Sequence, residues 1–245
     1  MPLTDMDIQT ESPDKAFEQL YIALRDKEQR LYTDAQLLHL PDIDAGHEHA
    51  KEWQVRKHSA ERLIAYLTKK RTPLNILEIG CGNGWLANKL AQIPNATVTA
   101  IDINRVEIEQ AKRVFKKDSL AFICGEVDAN DFIADPFDVV VFAASVQYFP
   151  SLPAILHEAL STLKPNGEVH LIDTNFYTAE VAFQAAQRTL DYYSSMGCPK
   201  LAEYYFHHQM NDLDGFNYKI LANPNSLLNR LQKSNPFYWI CINKQ

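Results

Sequence analysis

The chain has little glycine and little cysteine, with eight and four residues respectively among 245. Its thiols, Cys81, Cys124, Cys198 and Cys241, are scattered and include no C-x-x-C pair, which leaves buried free cysteines as the default. No apolar run approaches the roughly 20 residues of a membrane helix, and no charged-then-apolar segment opens the chain. A cytoplasmic location without a membrane partner is therefore expected. Cationic side chains are in deficit, 24 Lys and Arg against 31 Asp and Glu, so the formal net charge is −7. With no broad positive surface to meet phosphate backbones, no nucleic-acid partner is expected. What remains, 46% hydrophobic and 22% charged residues, describes one globular domain with a large core.

Three of the few glycines are concentrated in Leu77-Glu78-Ile79-Gly80-Cys81-Gly82-Asn83-Gly84-Trp85. The apolar run Leu74–Leu77 before the loop and the segment Trp85–Leu90 after it predict a strand, a glycine-rich turn and a helix. Such a turn sets backbone N–H groups beside a ligand. A dinucleotide fingerprint G-x-G-x-x-G starting at Gly80 would need glycine where Trp85 stands, so a nicotinamide or flavin dinucleotide is disfavoured. A second strand, Thr97–Ile101, ends at Asp102, where a βαβ unit places its ribose-binding acid. Asn104 and Glu107 form a capping box for the next helix, an arrangement that leaves Asp102 free. A third strand, Leu120–Cys124, runs into Gly125-Glu126-Val127-Asp128. The nearly continuous apolar run Phe137–Ala143 fits a central strand covered on both faces. A helix over Leu152–Leu163, a break at Lys164–Gly167 and a fifth strand ending at Asp173 follow.

The E-x-G-x-G-x-G spacing, the acid at Asp102 and the adjoining strands resemble the class I S-adenosylmethionine (SAM)-dependent methyltransferases. The resemblance extends from Pro73 to Lys244, apart from a cap. It implies that Glu78, Gly80, Cys81, Gly82, Asn83, Gly84 and Trp85 pass the amino-acid end of SAM and that Asp102 accepts from the ribose hydroxyls. Glu126 would accept from the adenine amino group while the Val127 N–H donates to a ring nitrogen. The family's usual acid there is aspartate, and Asp128 is the competing choice. Ile103 and Ala143 complete the implied cofactor set.

The implied fold class is α/β: a Rossmann-like, seven-stranded, mostly parallel sheet flanked by helices, with an antiparallel C-terminal strand, an N-terminal helical extension and a helical cap insertion. Residues 1–72 form the extension, with helical periodicity near Lys15–Arg30 and over His49–Thr68 and a loop at Leu40–Gly46. Residues 73–245 form the SAM-binding core, with the cap at about 174–214. The last pieces are two strands, Phe216–Leu221 and Pro236–Asn243, separated by a short helix over Asn225–Lys233.

The implied activity is methyl transfer to an oxygen or nitrogen of a small-molecule acceptor, with release of S-adenosylhomocysteine (SAH). Alternatives are a SAM-binding protein with other chemistry or a regulatory role, and, more distantly, a tRNA or protein methyltransferase or an NAD(P)-linked oxidoreductase. Aromatic residues concentrate in the cap, where some simply pack it onto the core and others can hold the sulfonium and acceptor. Candidate acceptor residues are Gln147, Tyr148, Tyr177, Arg188, Tyr192 and Tyr204. Candidate catalytic residues are Asp173, Tyr148, His207 and His208. His170 and Asp173, three apart on a strand, should face opposite ways, with Asp173 at the cofactor end. Arg56 could reach the SAM carboxylate. No metal is expected, the polar group Asp42, Asp44, His47, Glu48 and His49 being more simply solvated.

Overall fold

The computed structural model describes residues 13–226, 229 and 235–244. Apolar runs bounded by turn residues form strands β1 (Leu74–Ile79), β2 (Ala96–Asp102), β3 (Leu120–Cys124), β4 (Phe137–Ala143), β5 (Leu163–Thr174), β6 (Tyr218–Ala222) and β7 (Tyr238–Asn243). They pair in the order β3-β2-β1-β4-β5-β7-β6. The first five are parallel, and β7 runs antiparallel between β5 and β6. This is the expected seven-stranded, mostly parallel sheet with an antiparallel C-terminal pair.

Alternation along the strands splits the core into two layers. Ile76, Val98, Val139 and Val141 face one side, with α3 (Ala50–Thr68), α4 (Trp85–Leu90) and α5 (Arg105–Val114). Leu77, Val140, Phe142 and Leu171 face the other, with α6 (Leu152–Ser161). Val139 to Phe142 are all fully buried, as a strand covered on both faces must be. Parallel connections carry the chain one way from β1 to β3 and then return it to β4. The strand ends of β1 and β4 therefore diverge, leaving the crevice where open α/β sheets bind ligands.

The N-terminal stretches appear as α1 (Pro13–Lys27) and α3, on which Trp53, Leu63 and Leu67 are buried and Val55 and Ile64 half-buried. Between them lies α2 (Asp34–His39), closed by a Thr33/Gln36 capping box. It escaped sequence analysis because six residues are too few to display a helical period. In the cap, α7 (Ala179–Ser195) ends at Gly197, whose φ is +69°, and a 3-10 turn follows over Pro199–Tyr204. Leu24 of α1, Tyr193 of α7, Cys198 and Leu201 make a third small core, so the N-terminal helix and the cap pack on each other. Most of the expected Asn225–Lys233 helix lies outside the described residues.

One strand expectation is corrected. His170 and Asp173 both turn toward α3: His170 packs 5.3 Å from the Tyr66 ring, and Asp173 accepts from the Ser59 hydroxyl at 2.5 Å. The β5–β7 register slips between Leu171 and Thr174, and Asp173 has a left-handed φ of +56°. That irregularity cancels the simple two-residue alternation.

Candidate active site

Gly80 and Gly82 adopt φ of +73° and +52°, which side chains with a Cβ resist. A Cβ on Gly80 would lie 2.5 Å from that of Ser145, so the loop can cross the end of β4 only as glycine. The Gly82 amide donates to Asp102 Oδ2 at 2.7 Å, and the Asn104 amide donates to Asp102 Oδ1 at 2.8 Å. Contrary to the sequence expectation, Asp102 is not free: each oxygen already holds one amide and keeps one acceptor site. Asn104 caps α5 through the Glu107 amide, but Glu107 does not reciprocate. Its carboxylate instead turns into the cleft beside Gly82.

The loop borders a cleft of about 570 Å3, open mouth included. Of the residues implied for the cofactor, Glu78, Gly80, Cys81, Gly82, Asn83, Trp85 and Ala143 line it. Gly84 packs behind, where a Cβ would stand 2.4 Å from the Phe122 ring. Val127 is half-buried and Glu126 exposed, both away from this lining; Asp128 caps the following 3-10 turn through the Asn130 amide. Ile103 is half-buried, and its carbonyl faces the Cys124 thiol.

The opposite wall comes from residues that no motif marked, Tyr21, Arg25, Arg30, Tyr32 and Trp53, together with Arg56. Trp53 stands edge-on to Trp85 at 5.3 Å and donates its indole N–H to the Tyr32 hydroxyl. The arginines alternate with two glutamates in a ladder. Arg25 Nη1 is 3.3 Å from Glu28, and Arg30 Nε is 3.2 Å from the same carboxylate, a charge contact not aligned as a hydrogen bond. Arg30 then grips Glu52 with both Nη atoms, at 2.9 and 2.5 Å, and Arg56 Nε donates to Glu52 at 3.0 Å. Burial would raise the Glu52 carboxyl, but the Arg30 bonds and the Arg56 charge outweigh it and bring the pKa down to about 2. Three cations against two anions leave this wall with one positive charge.

The acids across the cleft behave oppositely. Burial, then Asp102, holds the Glu78 carboxyl well above its ordinary range; burial and Asp102 also push Glu107 up to about 7. Glu78 Oε2 and Glu107 Oε2 have no hydrogen-bond partner among the described residues. Orphaned buried acceptors beside a glycine cradle, facing arginines, suit a ligand with both a cationic and an anionic end. The amino-acid end of SAM is such a group.

An aromatic wall joins this cleft to the cap. Tyr148 meets Tyr21 and Phe17 at 5.8 Å and Tyr205 at 5.7 Å, and Phe17 meets Tyr204 at 5.2 Å. His207 lies 5.1 Å from Tyr205 and 5.6 Å from Tyr177, its Nε2 sharing a hydrogen bond with Thr189. Burial, with smaller effects from His208 and Arg188, lowers its pKa. The other candidates are occupied elsewhere. His208 Nε2 faces the Val146 carbonyl; Gln147 donates to the Ala144 carbonyl; Tyr192 donates to Glu28; Arg188 is exposed. Asp173 is buried under α3, its pKa pushed up to about 6 by burial despite the Arg56 charge and the Ser59 bond.

Glu168, His170 and Cys241 bring three potential metal-ligand atoms within 4.8 Å of one another. Lys70 pairs with Glu168 at 2.8 Å and the Trp239 indole donates to His170, so these groups already satisfy each other.

The strand order and the glycine loop at its reversal define the class I SAM-dependent methyltransferase fold, with SAM the cofactor of the class. Residues 76–167 match the model of a methyltransferase domain family. A malonyl-[acyl-carrier protein] O-methyltransferase of Priestia megaterium is 34% identical over 128 residues, 49% of this chain and 46% of that one. Its counterpart in Halalkalibacterium halodurans is 33% identical over 150 residues, 56% and 55% of the two chains. The chain thus spans about half the length of the curated relatives it matches. Among solved structures, the plantazolicin methyltransferase BpumL in complex with a pentazolic desmethylPZN analog and SAH aligns over 95% of this chain and 98% of its own. The TM-score is 0.58 at 19% identity, a likeness of fold.

Proposed function

We propose that the protein transfers a methyl group from SAM to an oxygen or nitrogen of a small-molecule acceptor and releases SAH. The observation that carries this is the cleft at the β1/β4 divergence, where a glycine cradle and two carboxyls, each with one unpartnered oxygen among the described residues, oppose an arginine ladder. SAM, when bound, supplies an electrophilic methyl group on a sulfonium. Asp102 uses its remaining acceptor sites on the ribose hydroxyls, Glu126 and the Val127 amide read the adenine edge, and Arg56 or Arg25 receives the carboxylate. Trp53 and Trp85 close the floor against water, which matters because displacement rewards alignment: well-oriented reactants recover about 7–11 kcal/mol of barrier.

The acceptor lies against the aromatic wall of Tyr21, Tyr148 and the cap. Tyrosine faces hold a sulfonium at about 0.5–2 kcal/mol each while it still carries charge. A hydroxyl acceptor needs a base; His207, kept neutral by burial at the edge of this wall, is better placed for that than His208 or Asp173. The four free cysteines suit a reducing cytoplasm, and among the described residues no helix is long and apolar enough to cross a membrane. We also infer that residues 1–72 act as a lid over a core of 73–245, since α1 and α3 supply the arginine wall.

Calorimetric titration with SAH, with NADH as control, tests the cofactor. Micromolar binding of SAH alone supports the assignment; a folded, ligand-stripped protein that ignores SAH overturns it. Labelled SAM with a panel of phenols, amines and carboxylic acids then tests the acceptor class.

A further inference from the structure

We propose that Glu107 accepts the α-ammonium of the cofactor's amino-acid end and thereby fixes which way that end lies in the cleft. This rests on the SAM reading above. Glu107 is 8% exposed, borders the cleft, and has an oxygen with no hydrogen-bond partner among the described residues. It has no capping task, since Asn104 performs that alone. A buried acid without a partner costs stability, and its persistence at a ligand cleft points to a ligand that supplies one. Its Oε2 stands 3.2 Å from where a Gly82 Cβ would be, so the absence of that Cβ is what opens the carboxylate to the loop's ligand.

The surroundings select the ammonium. An amino acid carries its carboxylate and ammonium on one carbon, so a site for it needs an anion receptor and a cation receptor facing each other. Arg25 on α1 and Arg56 on α3 provide the first; both act electrostatically on Glu107. Asp102 on β2 pushes the other way, and Tyr21 on α1, Cys81 of the glycine loop and Tyr148 after β4 also interact with Glu107 electrostatically. Glu78 is a weaker choice: burial and Asp102 both push its carboxyl well above its ordinary range, and only a backbone hydrogen bond at Ala87, with no cation, opposes them. Glu107, balanced near neutrality by two arginines, can give up its proton to solvent as an ammonium docks. Cofactor binding should then release protons and strengthen as pH rises through about 7.

The test compares wild type and Glu107→Gln by calorimetry at pH 6.5 in phosphate and in imidazole. One ligand is SAH; the other is 5′-methylthioadenosine, which keeps adenine, ribose and sulfur but lacks the amino-acid end. Wild type should release part of a proton on binding SAH. The variant should release none and bind SAH about ten- to a hundredfold more weakly, with methylthioadenosine affinity unchanged. Without ligand the variant should melt at or above the wild-type temperature at pH 8, because a neutral amide replaces a buried acid. Equal SAH affinity in the two proteins, or equal losses for both ligands, overturns the inference while leaving the SAM reading standing. Failure of wild type to bind SAH overturns both.

Discussion

At the scale of single residues, the site is governed by acids that burial makes reluctant to ionise. Asp102 is raised by burial, and the amides of Asn104 and Gly82 hold it back. Those two bonds make it a strut of the loop as well as the proposed ribose acceptor. Asp102→Ala should weaken SAH binding by about 1.5–3 kcal/mol, roughly ten- to a hundredfold, as read by calorimetry on the folded variant. Glu107 and Asp173 have folded pKa values of about 7 and 6, above the ordinary carboxylate range, so between those limits the unfolded chain binds fewer protons than the folded one. Their contribution is present in acid and lost as pH rises. Glu52 and Glu168, both brought down to about 2, contribute the reverse and are lost as pH falls below the usual carboxylate range. The ligand-free protein should therefore melt highest near pH 5, declining on both sides. A melting temperature that climbs steadily from pH 5 to 8 would contradict these assignments.

At the scale of elements, irregularities place the functional groups. The slip in β5 swings Asp173 under α3, and the left-handed Ala144 at the end of β4, φ +53°, leads into the turn carrying Gln147 and Tyr148. Tyr148→Phe keeps every ring contact and removes only the hydroxyl. It should leave SAH affinity nearly intact and change turnover of an identified acceptor, a split that steady-state kinetics would show. Helix α1 is held largely through Leu24 and its shared core with the cap, supported by Lys27 donating to the Met196 carbonyl. Leu24→Ala, at a buried position, should cost about 2–5 kcal/mol locally. Hydrogen exchange should accelerate together in α1 and in Pro199–Tyr204. Acceleration confined to α1 would show the two to be independent.

At the scale of the molecule, β1 and β4 build one wall of the cleft and the N-terminal helices the other. Ligand binding should therefore stabilise the whole chain by mass action, about 2.7 kcal/mol at a hundredfold excess of SAH over its dissociation constant. Differential scanning with increasing SAH should shift a single transition upward. A second, unshifted transition would mean that the N-terminal helices and sheet melt separately.

The sheet, most of its strand limits and the loop wall were legible in the linear chain; the exception is β5, which starts at Leu163 and takes in the Lys164–Gly167 stretch expected as a break. Buried parallel strands demand continuous apolar runs, and a backbone that must pass a ligand closely demands glycine at set intervals; both are local requirements. Even the aromatic character of the cap was visible as composition. Of the arginine wall only Arg56 was, because Arg25 and Arg30, on α1 and in the turn after it, look like ordinary solvated helix charges until the fold brings them to Arg56 on α3. Nor could a helical pattern distinguish Glu107 the capping partner from Glu107 the buried acid, since that depends on which way one side chain turns. The sequence by itself determined the fold and the cofactor loop, through periodicity and backbone sterics acting between near neighbours. Only the tertiary structure decided the charge balance of the cleft and the protonation of its acids, because burial and electrostatic contact are set by distance in space.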